Sequence, residues 1–137
     1  MEINDITYKI IGAIYEVYNQ LGPGLLESVY EQALSYQLRK DGLEVDNQVS
    51  VPIFYDGEEL ETRLRIDILV EEAVIVELKS VAELAPVHFM QIDTYLRLSG
   101  VEVGLLVNFN TANIKDSIHR RINTSDPSVM LNTYDPI

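Results

Sequence analysis

The chain has 137 residues, 47% of them apolar, with 22 acidic and 10 basic side chains and a net charge of −12. This is enough apolar material for one core and too little for two ordinary domains, so we expect a single domain over residues 1–137 with its core at about 22–110. The absence of cysteine excludes disulfides, thiolate-bound zinc and cysteine nucleophiles. The acidic balance argues against a protein that coats nucleic acid through a broad basic surface.

No apolar run approaches the roughly 20 residues that cross a bilayer. Residues 1–5 also lack the basic segment and apolar stretch of a secretory signal, so we expect a cytoplasmic protein with no membrane partner. With only two histidines available, a bound metal would depend mainly on oxygen ligands. Oxygen ligands favour a hard cation.

Two helical patterns occupy the first forty residues. Apolar residues recur every three or four positions over 3–21, which is typical of an amphipathic helix, and Gly22-Pro23-Gly24 ends it. A second stripe runs over 26–38, and this helix ends near Lys40 with Gly42 behind it. Two helices are therefore expected before any strand.

A β-meander is predicted for the middle of the chain, with strands over 44–55, 61–70 and 74–79. Pro86 opens a third helix over 86–98, and the nearly continuous apolar run over 101–109 indicates a strand buried on both faces. A last short helix is expected over 114–122, followed by an irregular tail from Asn123. The predicted order is helix, helix, three strands, helix, strand, helix.

The link between the second and third strands determines which residues face each other. A three-residue turn over 71–73 gives three apolar pairs on one face: Val70 with Val74, Ile68 with Val76, and Ile66 with Leu78. The same register puts Asp67 opposite Glu77, with β-carbons about 5 Å apart. A two-residue turn would send the two acids to opposite faces, so hydrophobic matching and chemistry favour the same register.

Asp67, Glu77 and Lys79 form the constellation that carries chemistry. Two facing carboxylates on buried strands repel each other unless a cation lies between them, so a divalent metal is the natural partner. Lys79, on the same face as Glu77, can position or deprotonate a water and offset charge in a phosphoryl transition state. A solvated surface cluster is the alternative, but the apolar residues Ile75 and Leu69 flank the acids on the same face and favour a site that is partly enclosed.

At this point the sequence resembles a known family. Asp67 followed by Glu77-Leu78-Lys79 resembles the signature of the PD-(D/E)XK nuclease superfamily, and Gly24-Leu25-Leu26-Glu27-Ser28-Val29-Tyr30 is similar to the motif of its GxxExxY proteins. The resemblance covers roughly residues 5–122 and includes the segment 104–109. It implies an α/β fold with a restriction-endonuclease-like core, a mixed central sheet of about four strands flanked by helices, and an extra N-terminal helix.

The resemblance also implies roles for individual residues. Asp67 and Glu77 would bind Mg²⁺ or Mn²⁺, the carbonyl of Leu78 would be a further ligand, and Lys79 would be the catalytic lysine. Glu27 resembles the extra acid that the first core helix contributes, although a favourable charge in the first turn of a helix is an equal alternative.

Gln91 and Tyr95 are similar to the Gln-x-x-x-Tyr element of exonuclease-like members, in which the glutamine would orient phosphate or water. His88 would edge the same site, with a capping or structural role as the favoured alternative. Arg65, on the face of Asp67, is a candidate phosphate contact, although solvated arginines are common there. Tyr30 is expected to pack in the core. Other basic candidates are Arg63, Arg39 with Lys40, and Lys115 with Arg120 and Arg121.

Three functional hypotheses follow from these residues. The leading one is a metal-dependent nuclease acting on DNA or RNA. The second is a catalytically silent nuclease-fold module that binds a protein partner, because an acidic surface steers basic partners toward it. The third is a metal-free structural protein, which would require a different register. The apolar first helix is expected either to cover the sheet or to form a homodimer contact.

Overall fold

The structure is a computed structural model that describes residues 1–124. It has helices α1 (Ile3–Leu21), α2 (Glu27–Lys40) and α3 (Pro86–Ser99), with a 3-10 helix at Ile114–Ser117. Its strands are β1 (Val45–Val51), β2 (Phe54–Tyr55), β3 (Glu58–Glu59), β4 (Leu64–Val70), β5 (Val74–Lys79), β6 (Val103–Asn108) and β7 (Ile118–Ile122). Beyond position 124, the irregular tail predicted from Asn123 lies outside the described residues.

Five strands form one sheet in the order β1-β4-β5-β6-β7, while β2 and β3 form a separate hairpin. Strands β5 and β6 are parallel, and the other neighbours in the sheet are antiparallel. Helix α3 makes the crossover that a parallel pair requires. The predicted fold class, a mixed sheet flanked by helices with an extra helix at the N-terminus, is confirmed, with five strands rather than about four.

The helix predicted over 114–122 is wrong for most of its length. Only Ile114–Ser117 is helical, as a 3-10 turn, and Ile118–Ile122 is strand β7. Ile118 and Ile122 are four residues apart, a spacing that satisfies both a helical stripe and a strand alternation. Pairing with β6 decides between them, because β7 satisfies the backbone groups along the open edge of that buried strand.

The strand predicted over 44–55 is also divided. Strand β1 ends at Val51, immediately before Pro52, which has no N–H to donate to a ladder. Phe54 and Tyr55 instead pair with Glu59 and Glu58 in the small hairpin. The second predicted strand starts at Leu64 rather than at position 61.

Helices α1 and α2 cover one face of the sheet, and α3 covers the other. The larger core cluster joins the two N-terminal helices to the sheet through residues such as Ile10, Leu34 and Val76. On the other face, α3 approaches β6 closely at Gly104, where a β-carbon would lie 2.9 Å from Ile92 Cδ1. Glycine at this position therefore allows α3 to lie beside the strands that carry the candidate site.

Helix α1 covers the sheet, which was one of the two expectations for it. Its apolar stripe is buried in the larger core cluster, with Ile10 and Ile14 fully enclosed. A homodimer contact through this helix stays a prediction. Within residues 1–124, no helix has the length and apolar character needed to cross a membrane.

Candidate active site

The turn between β4 and β5 confirms the predicted register at its start. Val70 pairs with Val74 and Ile68 with Val76, and the turn comprises Glu71, Glu72 and Ala73. Both glutamates adopt positive φ angles, 53° and 52°, which non-glycine residues seldom do. The tight turn is therefore maintained by the pairing of the buried apolar strands on either side of it.

Beyond Ile68 the two strands stop pairing through their backbones. The predicted pair of Ile66 with Leu78 is not part of the ladder. Instead, the Asp67 N–H donates to Glu77 Oε1 at 3.1 Å, and the Leu78 N–H donates to Asp67 Oδ2 at 3.0 Å. The two candidate carboxylates have thus taken the place of main-chain acceptors between the strands.

Because of this local break, Ile66 does not lie on the same face of the sheet as Ile68, contrary to the sequence prediction. Ile66 packs with Ile75 and Leu96 on the α3 side, whereas Ile68 packs in the cluster on the α1 and α2 side. The ladder between β1 and β4 skips the same point, where Gln48 has a φ of 51°. The alternation of β4 is therefore interrupted at Asp67, in the middle of the site.

Glu77 is the most strongly perturbed side chain of the site. It is only 2% exposed, and its carboxyl group forms a hydrogen bond with that of Asp67. Burial raises the pKa of Glu77 from 4.5 to about 9, the negative charge of Asp67 adds to this rise, and Lys79 opposes it. Without a cation, Glu77 therefore retains a proton at neutral pH.

The donor set fits a hard divalent cation, which would replace that proton. Asp67 and Glu77 would supply carboxylate oxygens and Leu78 its carbonyl, with no nitrogen or sulfur ligand required. Within residues 1–124, no group of three or more His, Asp or Glu side chains converges on one point. The protein would therefore supply few ligands, leaving positions for water and phosphate oxygens, as Mg²⁺ sites commonly do.

Lys79 ends β5 on the same side as Glu77 and is half-buried. The chain after it is secured by Asn108, its partner on β6, whose side chain accepts from the Val81 N–H and donates to the Val81 carbonyl. Ser80 Oγ also donates to the carbonyl of Leu25, at 2.5 Å. Our sequence reasoning missed Asn108 and Ser80 as supports, although an asparagine ending a buried apolar strand was a usable signal.

Helix α3 brings Gln91, Tyr95 and His88 to this side of the sheet. Gln91 Nε2 donates to Tyr95 Oη at 3.1 Å. Burial raises the pKa of the Tyr95 hydroxyl, and the charges of Glu77 and Asp67 raise it further, so the hydroxyl lies close enough to the acids for them to act on it. A pocket of about 420 Å³ opens between Lys79 and this helix.

His88 lines that pocket, but its Nδ1 also accepts from the Ala85 N–H at 2.9 Å. This bond caps the first turn of α3, in agreement with the structural alternative for this histidine. Tyr30 lies in the core as expected, fully buried and stacked on Phe109 with ring centroids 4.4 Å apart. Its hydroxyl donates to the Gly22 carbonyl and so supports the segment before α2.

The structure leaves Glu27 and Arg65 outside the immediate cluster. Glu27 is the first residue of α2 and is exposed, and no group of metal-binding side chains within residues 1–124 includes it. Arg65 is exposed on β4. Neither position excludes a contact with a bound polymer, so the roles of both remain predictions.

Arg121 is a correction to the list of basic candidates. Its side chain is 2% exposed and forms a bidentate ion pair with Asp93, with the shorter distance 2.7 Å. The guanidinium also lies 5.2 Å from the centre of the Phe89 ring. Arg121 therefore joins β7 to α3 and is not part of a phosphate-binding strip.

The chain is similar to known proteins in sequence and in fold. A family model described as the PD-(D/E)XK nuclease superfamily matches residues 4–121. No curated protein matches the chain. The crystal structure of SSO0001 is similar, with a TM-score of 0.56 and 21% identity over 74% of this chain and 52% of that chain. The chain spans about half the length of that protein, and the likeness shows the fold alone.

Proposed function

Because the chain belongs to the PD-(D/E)XK nuclease superfamily, we propose that it is a metal-dependent nuclease that hydrolyses phosphodiester bonds of DNA or RNA. The observation that carries this proposal is the buried Glu77 carboxyl group beside the half-buried Asp67 and Lys79. Burying a carboxyl group against a second one is costly, and a strongly perturbed group such as Glu77 is typical of functional sites. Nucleases of this superfamily generally use divalent metal ions, which fits an oxygen donor set.

Hydrolysis requires an attacking water, a polarised phosphorus and a leaving oxygen. A divalent ion at Asp67 and Glu77 would act as a Lewis acid toward a phosphoryl oxygen and lower the pKa of a nearby water. The new bond joins the water oxygen to phosphorus, and the bond from phosphorus to a sugar oxygen breaks. The products are a phosphate monoester and a hydroxyl group.

Lys79 is the residue we assign to the attacking water and the developing charge. Its ammonium group would orient the water and stabilise the extra negative charge on the phosphoryl oxygens. Asn108 would hold the chain after Lys79 in place through its two hydrogen bonds to Val81. A role for Asn108 is therefore one of positioning rather than of contact with the reacting atoms.

Gln91 and Tyr95 would bind the substrate phosphate or its water from the α3 side. Their mutual hydrogen bond preorganises both side chains. Arg65 would contact a phosphate further along the polymer, and Glu27 would tune the site from the start of α2. These assignments extend the proposed site beyond the central acids.

The proposal is tested by titrating Mn²⁺ and Mg²⁺ into the protein by calorimetry and assaying cleavage of single- and double-stranded DNA and RNA. The variants are Asp67→Asn and Glu77→Gln, which keep size and remove charge, with Asp46→Asn on exposed β1 as the matched control. We expect both site variants to lose metal binding and to lower cleavage at least about a hundredfold, while the control keeps both. Cleavage that survives both site variants would reject the assignment.

The charge of the chain supports a second candidate function, a nuclease-fold module that binds a protein with a basic surface. A net charge of −12 opposes binding of long nucleic acids and favours a cationic partner. Metal binding by the wild type without cleavage of any of the four substrates would favour this module. Failure of the wild type to bind metal would reject the proposed metal site itself.

A further inference from the structure

Helix α3 presents a second set of side chains to the pocket beside Lys79. The stripe that packs on the sheet contains Phe89, Ile92 and Leu96. A neighbouring stripe carries His88, Gln91 and Tyr95 along one wall of the pocket. Its outer rim is formed by Val87, Met90 and Thr94, which follow the i, i+3, i+7 spacing of one helix face.

The two apolar members of this rim are exposed. Val87 is 59% and Met90 is 53% exposed, and neither belongs to a core cluster of the described residues. They contribute little to the packing of α3, which depends on the stripe facing the sheet. Exposed apolar side chains at the mouth of a pocket are typical of a surface that contacts a ligand.

The charge that lines this pocket is opposite in sign to the net charge of the chain. None of its seven lining residues is a carboxylate, and Lys79 is its one permanently charged side chain. A pocket of about 620 Å³ between α2 and β1 contains Arg39, Lys40 and Glu31, and one of about 470 Å³ between α1 and α2 contains Lys40 and no carboxylate, but neither is lined by a residue of the candidate site. In a chain with a net charge of −12, the Lys79 pocket is therefore a favourable approach for a polyanion.

Polar groups that have no partner in the described part of the chain also line the same pocket. Gln91 uses its amide N–H toward Tyr95, and its Oε1 has no partner within residues 1–124. The hydroxyl of Thr94 likewise has no hydrogen bond to another described residue. Two exposed apolar side chains with a free acceptor and a hydroxyl beside them match the flat faces and polar edge of a nucleobase.

We propose that this pocket binds one unpaired nucleobase next to the phosphate held at Lys79, so that the substrate is a single strand or a strand with an extruded nucleotide. The inference rests on the proposed nuclease function. A base within a duplex has its faces covered by stacking and cannot enter a concave pocket without leaving the stack. Val87 and Met90 would contact the base face, and Gln91 and Thr94 its edge.

The inference is tested by fluorescence anisotropy with short DNA and RNA oligonucleotides of mixed sequence, first without metal so that no strand is cut, then with Mn²⁺. Each is presented as a single strand, as a blunt duplex, and as a strand of abasic nucleotides. The test variant is Val87→Ala with Met90→Ala. The control is Leu98→Ala, which removes an exposed apolar side chain of the same helix outside the pocket.

We expect the wild type to bind the single strand more tightly than the duplex or the abasic strand. The double variant should bind the single strand about tenfold more weakly, in the range of losing one base contact, and the control should bind like the wild type. Equal affinity for strand and duplex, unchanged binding by the double variant, or no binding with and without Mn²⁺ would overturn the inference.

Cleavage of the same oligonucleotides in Mn²⁺ separates this inference from the proposed function. Base-dependent binding that is lost in the double variant, without cleavage by the wild type, would keep the pocket and reject the nuclease. Equal cleavage of strand and duplex that the double variant retains would keep the nuclease and reject the pocket. Thermal unfolding of all three proteins checks that the exposed substitutions leave the fold intact.

Discussion

Glu77 should give the protein a stability that falls as the pH rises through neutrality. Burial and the neighbouring Asp67 raise the pKa of Glu77 from 4.5 to about 9 in the folded protein. Between these values the folded state holds a proton that the unfolded state releases, so raising the pH favours unfolding. The contribution is fully present below pH 4.5 and is lost as the pH rises toward 9.

The size of this effect follows from the number of protons involved. One extra proton on the folded state makes the free energy of unfolding fall by about 1.4 kcal/mol per pH unit, or about 3 kcal/mol between pH 6 and pH 8. For a chain of this length that loss lowers the melting temperature by roughly 10 °C. Glu77→Gln removes the effect, because an amide of the same shape does not titrate.

The measurement is the free energy of unfolding in urea, or the melting temperature, of the wild type and Glu77→Gln at several pH values without metal. The difference between the two proteins isolates Glu77, because both retain the same histidines. Adding Mn²⁺ should stabilise the wild type more at pH 8 than at pH 6, since the ion competes with the proton. Parallel pH profiles of the two proteins would show that Glu77 is ionised throughout and would refute the reasoning.

Three other substitutions test separate parts of the site. Lys79→Met should lower cleavage at least about a hundredfold while calorimetry shows metal binding retained, and loss of both would make the lysine structural. Asn108→Ala leaves the Val81 N–H without its side-chain acceptor, although Asn110 still donates to the Val81 carbonyl, and should lower kcat with little change in KM, as measured by steady-state kinetics. Arg121→Met leaves the carboxylate of Asp93, which is 16% exposed, without its ion-pair partner and should cost about 3 kcal/mol in urea unfolding. A loss under about 1 kcal/mol would show that water already screens the pair.

The start of the β4–β5 hairpin could be predicted because two patterns agreed, the apolar alternation of the strands and the placement of the two acids. The apolar positions of β4 and β5 match when the turn has three residues, and the observed pairing of Ile68 with Val76 confirms this. The same argument failed at Ile66, since it assumed that alternation continues through Asp67. Side-chain carboxylates accept the backbone hydrogen bonds there, an exchange that strand periodicity does not encode.

Contacts between distant segments explain the remaining differences from the sequence predictions. Residues 118–122 have an ambiguous pattern, and only the open edge of β6 makes them a strand. Arg121 pairs with Asp93, which lies 28 residues away in the sequence. From the sequence alone, Arg120 and Arg121 are equally good candidates for a phosphate contact. Pattern and motif therefore located the strands that carry the candidate acids, whereas the residues that support those strands became visible only in three dimensions.

The break in β4 has a physical consequence for the chemistry. A regular ladder would leave Asp67 and Glu77 as two facing carboxylates whose repulsion would separate the strands. Here each carboxylate accepts a backbone N–H from the opposite strand, Glu77 Oε1 from Asp67 and Asp67 Oδ2 from Leu78, so both acids are oriented by main-chain donors. Because the donors are backbone N–H groups, the same hydrogen bonds can form whether a proton or a cation lies between the acids. The strands therefore hold the acids in one arrangement, so that replacing the proton by a metal ion would require little reorganisation of the protein.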